Sequence, residues 1–486
     1  MKSKIIKPIT ILVLFVITIY SCKMNDFDSM NVDKKAPSKP VTSYMLTNCL
    51  ENIPRAILYE GSSDYKTGYF VQYFSRVEYS ELYNFWTQGF PFYQSVLINL
   101  KSIIDQNSDA ITKTEVAAFG DNNNQIAVAR ILRAYFYLSM TDRWGAIPYF
   151  EALQGQANLR PKFDNQEDIY NDLFKELKEA VDQMDPNSIN PLKGDFIFNG
   201  NMQRWQQFAN TTRLIMALRI ADVNPAKGKE EFQAAMNASG GIIGSIDEAI
   251  SYPFIEDEKD ANNNYFYYAY NGATPSIAPS KGIIDYLKSV NDPRLSVYAE
   301  PAALTGEFIG KPLEANQTDK NSISLLGSKF RQKSTPLAIY SYSQVAFTLC
   351  EATVRGWIAG GAAQAELYYN ESVKASFQEN GIFSNSSLTT YLNNAEVKFN
   401  TAEAYKKIGY QKWLALFPRG NEAWIEWRRL DYPIFTPVPG ALTDDQKIPL
   451  RFTYSTDLAN LMPEQYQAIN KIQPDKSYTR VWWDVK

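Results

Sequence analysis

Residues 126–145 read IAVARILRAYFYLSMTDRWG and contain the clearest helical pattern of the sequence. Its apolar residues recur at helical spacing, and Ala127, Ala129 and Ala134 are small enough to let a second helix pack closely. Gly145 follows the last turn, where glycine suits the position just beyond a helix C-terminus. The stretch therefore predicts a strong, closely packed helix over 115–140 that ends within 141–145.

The same spacing of apolar residues recurs along the chain and predicts a mostly α-helical protein. Asn165 precedes one such segment and is a residue type that caps a helix N-terminus. Short polar turns join many of the segments, which indicates stacked helix pairs of tetratricopeptide type. No clean repeat of about 34 residues is present, so any repeats are degenerate. Besides 115–140, helices are predicted over 41–58, 93–104, 165–184, 203–220, 281–288, 343–358, 362–379, 402–417, 421–429 and 463–472.

Three long stretches between the helices lack this spacing: 252–279, 304–335 and 436–455. Loops of this length in a compact protein are usually functional or mobile. These three stretches are therefore candidates for functional segments.

The first thirty residues have the pattern of an export signal. Lysines precede an apolar run over 9–20, which is too short to span a bilayer, since that takes roughly 20 apolar residues. Cys22 follows a small residue, as in a bacterial lipobox, although Tyr20 is atypical. We expect a lipoprotein signal peptide over 1–21, a lipidated Cys22 with a flexible tether over 22–40, and a single domain over 41–486. The alternative is an ordinary secretory signal with an incidental cysteine.

The composition excludes several classes of function. The chain of 486 residues contains no histidine, which excludes histidine-dependent catalysis and histidine metal sites. A net charge of −4 argues against a nucleic-acid partner, because such proteins carry a basic surface. The acidic segment 256–260 lacks the spacing of a calcium loop, so no metal and no cofactor are predicted. Cys49 and Cys350 are expected to be buried as small hydrophobes, with a disulfide between them as the alternative.

A series of short motifs runs in order over nearly the whole chain beyond residue 30. The motifs are Asn31-Val32-Asp33, Thr141-Asp142-Arg143-Trp144-Gly145, Ile147-Pro148-Tyr149, Glu151-Ala152, Phe163-Asp164, Ile169-Tyr170, Gly200 before Trp205, Phe208-Ala209-Asn210, Leu218-Arg219-Ile220, Asp292-Pro293-Arg294, Val345-Ala346-Phe347, Glu351-Ala352, Arg355-Gly356-Trp357, Gln411-Lys412-Trp413, Glu422-Ala423-Trp424, Arg428-Arg429, Tyr432-Pro433, Ile448-Pro449-Leu450-Arg451 and Val481-Trp482-Trp483-Asp484. With these motifs the sequence resembles the SusD-like (RagB/SusD) outer-membrane lipoproteins of Bacteroidetes, in particular the SusD-like 2 subgroup. Two places depart from the family pattern: Asp33-Lys34-Lys35 replaces an Asn-Pro pairing, and Gly200-Asn201 stands where Gly-Asp is common.

The resemblance implies a SusD-like fold, in which stacked tetratricopeptide-type helix pairs support a loop-rich, irregular face. It also implies a lipid-anchored protein of the outer membrane that faces the cell exterior. Such a protein lies as a hinged lid on a TonB-dependent, SusC-like transporter and passes a captured nutrient to it, most often a glycan and in some relatives a peptide. No catalytic role is carried over from the family, and none is expected here.

Aromatic residues in the irregular stretch 252–279 are the first candidate for a glycan site. Sugar rings have an apolar face of C–H bonds and an edge of hydroxyl groups, which suit aromatic rings and amides respectively. Five aromatic residues lie within 265–270, directly after three asparagines. A strand here would place Tyr265 and Tyr267 on one face and Phe266, Tyr268 and Tyr270 on the other, so at most one set could face a ligand. The candidate residues are Asn264, Tyr265, Tyr267, Tyr268 and Tyr270.

The second candidate is the aromatic and polar segment that contains Phe85 and Trp86. The resemblance places a ligand-contacting segment in this part of the chain, which makes Trp86 the best single candidate. The alternative is that both rings fill space between the N-terminal helices. The motif residues on helices are expected to pack or pair rather than to bind ligand. Arg143, Trp424 and Arg428 are examples.

Other functions remain open at the level of sequence. The same aromatic and amide residues could capture a peptide instead of a glycan. A glycoside hydrolase would need two carboxylates, and no recognisable motif sets such a pair. A pure protein-interaction scaffold is a further alternative, because helical repeats often serve that role.

Overall fold

A computed structural model of the protein describes residues 41–58, 66–83, 89–256, 263–443 and 446–486. The predicted signal peptide, Cys22 and the tether lie outside these residues. Helices make up most of the regular structure, so the fold is helix-rich, as predicted. No helix of the described part combines the length and hydropathy that crossing a membrane requires.

The first half of the domain is formed almost entirely by helices. Pro54 lies at the start of helix α2 (Ile53–Leu58), and a proline there cannot continue a preceding helix, so the single helix predicted over 41–58 is two. A π-helical turn at Tyr93–Leu97 leads into helix α4 (Ile98–Ser108). The helices are α1 Thr42–Glu51, α2 Ile53–Leu58, α3 Lys66–Phe70, α4 Ile98–Ser108, α5 Lys113–Val116, α6 Asn122–Trp144, α7 Gln166–Gln183, α8 Met202–Arg219 and α9 Pro225–Met236.

The second half mixes helices with short strands. These are β2 Ile250–Tyr252, α10 Tyr265–Tyr270, β3 Ile277–Pro279, α11 Lys281–Ser289, α12 Leu295–Tyr298, β4 Ala299–Glu300, β5 Leu325–Leu326, β6 Leu337–Tyr340, α13 Tyr342–Val354, α14 Gly361–Glu379, α15 Asn385–Leu392, α16 Ala404–Ala415, α17 Gly420–Leu430, α18 Thr456–Leu461 and α19 Pro463–Ile472, with β1 at Phe74–Arg76 in the first half.

Neighbouring helices of the chain pack in pairs: α6 with α7, α8 with α9, α13 with α14, and α16 with α17. The pairs also contact one another, since α8 lies against α7 and α13, and α16 lies against α13 and α14. This is the stacked arrangement that the sequence predicts. Large rings on these helices are fully buried, among them Trp144, Trp205 and Trp424.

The long helix α6 extends to Trp144 and ends where Gly145 takes a positive φ of 76°. The Gly145 N–H donates to Thr141 O at 2.7 Å, and the Gln473 side chain donates to Trp144 O at 2.6 Å. The end of the helix is therefore closed by a side chain from the C-terminal part of the chain.

The strands form three two-stranded antiparallel pairs rather than one sheet in the described residues: β1 with β3, β2 with β6, and β4 with β5. The first pair places 74–76 against 277–279, and the second places 250–252 against 337–340. These pairs hold the irregular stretches of the sequence against the helix pairs.

Candidate ligand-binding surface

The aromatic segment 265–270 is a helix, α10, and not the strand considered from the sequence. Asn264 caps it, because its Oδ1 accepts a hydrogen bond from Phe266 N at 2.8 Å. The other side of the same amide donates to Thr335 O at 2.8 Å, and Asn264 N donates to Lys333 O at 2.7 Å. Asn264 is only 2% exposed, so it anchors α10 to the segment 333–335 rather than facing solvent.

Two of the α10 rings face inward. Phe266 is buried and lies 5.5 Å from the ring of Phe74 on β1. Tyr265 is half-buried, with its ring 5.8 Å from that of Phe254, and burial raises the pKa of its hydroxyl. These contacts fix the orientation of the helix.

Tyr270 closes the other end of α10 and also serves the structure. Its hydroxyl accepts a hydrogen bond from Leu326 N on β5 at 2.9 Å, and the Arg331 guanidinium lies 5.0 Å from the centre of its ring. Burial raises the pKa of Tyr270 above its ordinary range. The ring therefore joins α10 to β5.

Tyr267 and Tyr268 are directed outward. Their rings meet edge to face at 5.7 Å, and Tyr268 is 39% exposed. The Lys333 ammonium lies 5.3 Å from the centre of the Tyr267 ring, and the Tyr267 hydroxyl donates to Asn271 Oδ1 at 3.4 Å. Of the candidate residues on this segment, these two form a surface of rings bordered by an amide and an ammonium group, which we call the α10 surface.

Phe85 and Trp86, the other two candidates, lie outside the described residues, as does the predicted lipidation site Cys22. No group of three or more histidine, cysteine or carboxylate side chains in the described ranges is placed to hold a metal ion. The acidic residues 257–260 fall outside those ranges. Cys49 and Cys350 are both buried free thiols, so the disulfide alternative is not realised.

Behind the α10 surface, a cavity of about 280 Å³ separates α10 from the helix pairs. The sequence did not indicate it, because its walls come from five separate parts of the chain. It is lined by Ala249, Ser251, Asn264, Phe266, Lys329, Phe330, Thr335, Pro336, Leu337, Ala338, Ser341, Glu379, Asn380, Ala415, Phe417, Pro418 and Arg419.

Three charged side chains line this cavity. The Glu379 carboxylate accepts from Ser343 N at 2.9 Å and from Ser343 Oγ at 2.6 Å at the start of α13, and burial raises its pKa. Lys329 donates to Glu379 O at 2.7 Å, and burial lowers its pKa. Arg419, 2% exposed, donates to Gln344 Oε1 at 2.7 Å. These hydrogen bonds hold the walls together, and all three charged side chains line the cavity.

The motif residues on the helices lie in the interior, where they pair and pack as expected. Asp142 is fully buried and accepts from Trp483 Nε1 at 2.8 Å. The Arg428 guanidinium lies over the Trp424 ring at 3.6 Å and the Trp483 ring at 4.7 Å, and it donates to Asp142 O at 2.7 Å. This group joins α6, α17 and the C-terminal segment.

Arg429 forms the centre of a second buried group. Its guanidinium contacts Glu351 on α13 and Glu426 on its own helix, each at 2.6 Å from Nη2. Lys412 of α16 donates to Glu426 Oε2 at 2.8 Å, and Arg355 Nε donates to Glu351 Oε1 at 2.9 Å. Burial alone would raise the pKa of Glu426, but the charges of Arg429 and Lys412 outweigh it and lower the pKa to about 2.

Solved structures of other proteins share this architecture. A chitin-binding protein is 25% identical, with a TM-score of 0.76, and the match covers 92% of this chain and 100% of that one. A SusD homologue from Bacteroides uniformis is 26% identical, with a TM-score of 0.76, over 91% of this chain and 100% of that one. A chitin-binding SusD homologue from Flavobacterium johnsoniae is 21% identical, with a TM-score of 0.72 over 92% and 99%, and shares the fold.

In sequence, no curated protein matches the chain. The model of the SusD-like 2 family, described as "Starch-binding associating with outer membrane", matches residues 34–455, which is most of the chain. The order of motifs, the stacked helix pairs and this match agree, and the chain belongs to the SusD-like family.

Proposed function

We propose that this protein is a lipid-anchored binding protein on the outer face of the outer membrane, which captures an oligosaccharide and passes it to a TonB-dependent, SusC-like transporter. The α10 surface, together with Trp86 and Phe85, contacts the glycan. Asn264, Tyr265 and Tyr270 contribute indirectly, because they fix the position of α10.

The observation that carries this proposal is the outward pair Tyr267 and Tyr268 on α10. The two rings meet edge to face with their centres 5.7 Å apart, and the face of either ring can pack against the C–H face of a sugar. Asn271 and Lys333 border this area and supply hydrogen-bonding groups for hydroxyls. Aromatic and polar groups thus occur together at the surface, in the combination that sugar recognition needs.

The family adds support for both the ligand and the place of action. Its description names starch binding and association with the outer membrane, and two of the similar structures are chitin-binding proteins. Capture without catalysis fits the polar groups of the interior, because Asp142, Glu351 and Glu426 are tied into buried ion pairs. A carboxylate held in this way is a poor general acid or base.

The test is a binding screen of the full chain in detergent against neutral oligosaccharides and peptides, followed by calorimetry. We expect a neutral oligosaccharide to bind and to be recovered intact, and Tyr268→Ala and Trp86→Ala each to weaken binding about tenfold, as the loss of one stacked ring predicts. Tyr44→Ala, which removes a 67% exposed ring on α1, is the matched control and should bind like the wild type.

Three results would contradict the proposal: a hit with peptides alone, conversion of the glycan to products, or no binding of any oligosaccharide. The delivery step has its own readout. The full chain extracted from outer membranes in mild detergent should co-purify with a large β-barrel transporter, and isolation of the chain alone would argue against a stable transport partner.

A further inference from the structure

The cavity behind α10 is the right size for one sugar ring. Its volume of about 280 Å³ lies just below the ~300 Å³ at which pockets begin to take drug-sized ligands. It is far larger than the ~15 Å³ that one ordered water needs. A single pyranose ring therefore fits, whereas a longer stretch of glycan does not.

The walls of the cavity include the apolar side chains of three aromatic residues. Phe330 and Phe417 meet edge to face at 5.3 Å, and Phe266 of α10 lines the side facing the surface. All three rings are buried by the rest of the protein and are held rigidly. They suit the C–H face of a sugar in the same way as the outward pair on α10.

The polar groups of the cavity retain hydrogen-bonding capacity. A carboxylate offers about four acceptor positions, and Glu379 uses two of them on Ser343. The Lys329 ammonium has three N–H donors and uses one on Glu379 O. Asn380 donates through Nδ2 to Ser376 O at 2.8 Å, while its Oδ1 accepts no hydrogen bond from the described residues. Hydrogen-bond donors and acceptors are both available, as the neutral hydroxyl groups of a sugar ring require.

The cavity adjoins the α10 surface. Lys333, two residues before Thr335, lies over the Tyr267 ring, and Thr335 lines the cavity. Two residues span at most about 7 Å even when extended, and residues 333 and 334 form a turn, which is more compact. A glycan on Tyr267 can therefore reach the cavity by crossing only the segment 333–335.

We infer that this cavity binds one terminal, neutral sugar residue of the oligosaccharide whose next residues lie on Tyr267 and Tyr268. The inference rests on the proposed function and adds to it a selectivity for glycans that have a free end. Arg419 and Phe417 line the cavity and are themselves buried, so we expect the cavity to be closed on that side and a glycan chain to be unable to pass through it. The protein thus selects glycans by a free end, and an internal segment of a polysaccharide binds the surface alone.

The experiment combines a ligand change with a cavity-filling variant of the full chain. Ser251 and Ala338 pair across β2 and β6, and both line the cavity, so a phenyl ring at 251 takes up part of the space that a sugar ring needs. Calorimetry compares an oligosaccharide that binds the wild type with the same compound carrying bulky groups on both ends. Ser108→Phe, which adds the same ring at an exposed position at the end of α4, is the matched control.

We expect blocked ends to lower wild-type affinity at least tenfold, and Ser251→Phe to lower affinity for the free-ended glycan equally. In Ser251→Phe, blocking the ends should then have no further effect, because the cavity is already occupied. Ser108→Phe should behave like the wild type. Asn380→Ala, which removes one polar group without filling space, should show a smaller loss confined to the free-ended ligand, and it serves if Ser251→Phe fails to fold.

The outcomes separate this inference from the proposed function. If the wild type binds free-ended and blocked glycans equally, or if both cavity variants bind like the wild type, glycan capture stands and the terminal-residue pocket is refuted. If no oligosaccharide binds the wild type at all, the proposed function fails, and the pocket inference fails with it.

Discussion

The Arg429 group and the α10 surface place polar and aromatic side chains in opposite settings. Arg429 is 2% exposed and lies within 2.6 Å of two carboxylates, each with a further cation on its other side. Tyr268, in contrast, is 39% exposed at the outer edge of a helix of only six residues. The motif residues that reveal the family are mostly of the first kind, whereas the residues proposed to bind glycan are of the second kind.

This difference indicates that the family motifs consist mainly of residues that make the buried contacts between helix pairs. They therefore carry little information about the ligand. A buried charge tolerates few replacements, because any change leaves its partner unpaired in a medium of low polarity. A ring on the surface can be moved or exchanged with little cost to folding. Ligand choice can therefore vary among proteins that share the same buried charges.

The largest effect is expected from Arg429→Met, which keeps the volume but leaves Glu351 and Glu426 without their shared partner. Breaking a buried ion pair costs about 3–5 kcal/mol, so the free energy of unfolding should fall by that amount. Urea denaturation followed by tryptophan fluorescence measures it. Arg160→Met, at an exposed position, is the matched control and should change stability by less than about 0.5 kcal/mol. Equal stability of the two variants would mean that the buried charges do not lock the helix pairs.

Sequence patterns predicted the helix pairs well because their signals are local. The segments predicted over 203–220 and 362–379 correspond to Met202–Arg219 and Gly361–Glu379, and 463–472 matches Pro463–Ile472 at both ends. Apolar spacing and terminal caps are properties of a few neighbouring residues, so they can be read without knowledge of the fold. Pro225–Met236 was missed, because its apolar residues are few.

The loop-rich face was predicted less well, for two physical reasons. The segment 265–270 is almost all aromatic, so it shows no helical spacing, and its cap is one of three consecutive asparagines. The cavity behind it joins residues near 250, 265, 335, 380 and 417. Nothing in a single sequence shows that such distant parts meet, so Glu379 and Asn380 could not be recognised as cavity residues, although Glu379 ends a correctly predicted helix.

The second effect is a pH dependence of stability that comes from Asp484, a buried carboxyl group without a full set of hydrogen-bond partners. Asp484 pairs with Arg480 Nη1 at 2.5 Å, yet its Oδ2 accepts no hydrogen bond in the described part of the chain, and burial raises its pKa to about 6. In the unfolded chain the group ionises near pH 4. Between these values the folded protein binds the extra proton, so this group makes stability fall as pH rises from about 4 to 6.

Asp484→Asn removes this titration. Relative to the wild type, the variant should gain about 2 kcal/mol between pH 4 and pH 7, which is most of the free energy of a shift of about two pKa units. The quantity to measure is the difference between the two urea denaturation curves at each pH, since titration of all other groups cancels in that difference. A difference that stays constant from pH 4 to pH 7 would show that Asp484 is as easily ionised in the folded protein as in the unfolded one.

The smallest effect on stability is expected within α10, where inward rings hold the helix in place and outward rings are proposed to contact the ligand. Tyr270→Phe keeps the ring under Arg331 but removes the hydroxyl that accepts from Leu326 N, and Leu326 is fully buried. An unpaired buried N–H costs about 1–3 kcal/mol, so the free energy of unfolding should fall by about 1–2 kcal/mol. Tyr267→Phe is the matched control, because the Tyr267 hydroxyl makes a long hydrogen bond of 3.4 Å to Asn271 near the surface. The stability of Tyr267→Phe should therefore match that of the wild type.

Glycan affinity should respond in the opposite way. It should be unchanged in Tyr270→Phe and reduced in Tyr267→Phe if the hydroxyl contacts sugar. A loss of affinity in Tyr270→Phe at full stability would instead place Tyr270 among the ligand contacts and remove the distinction between inward and outward rings on α10.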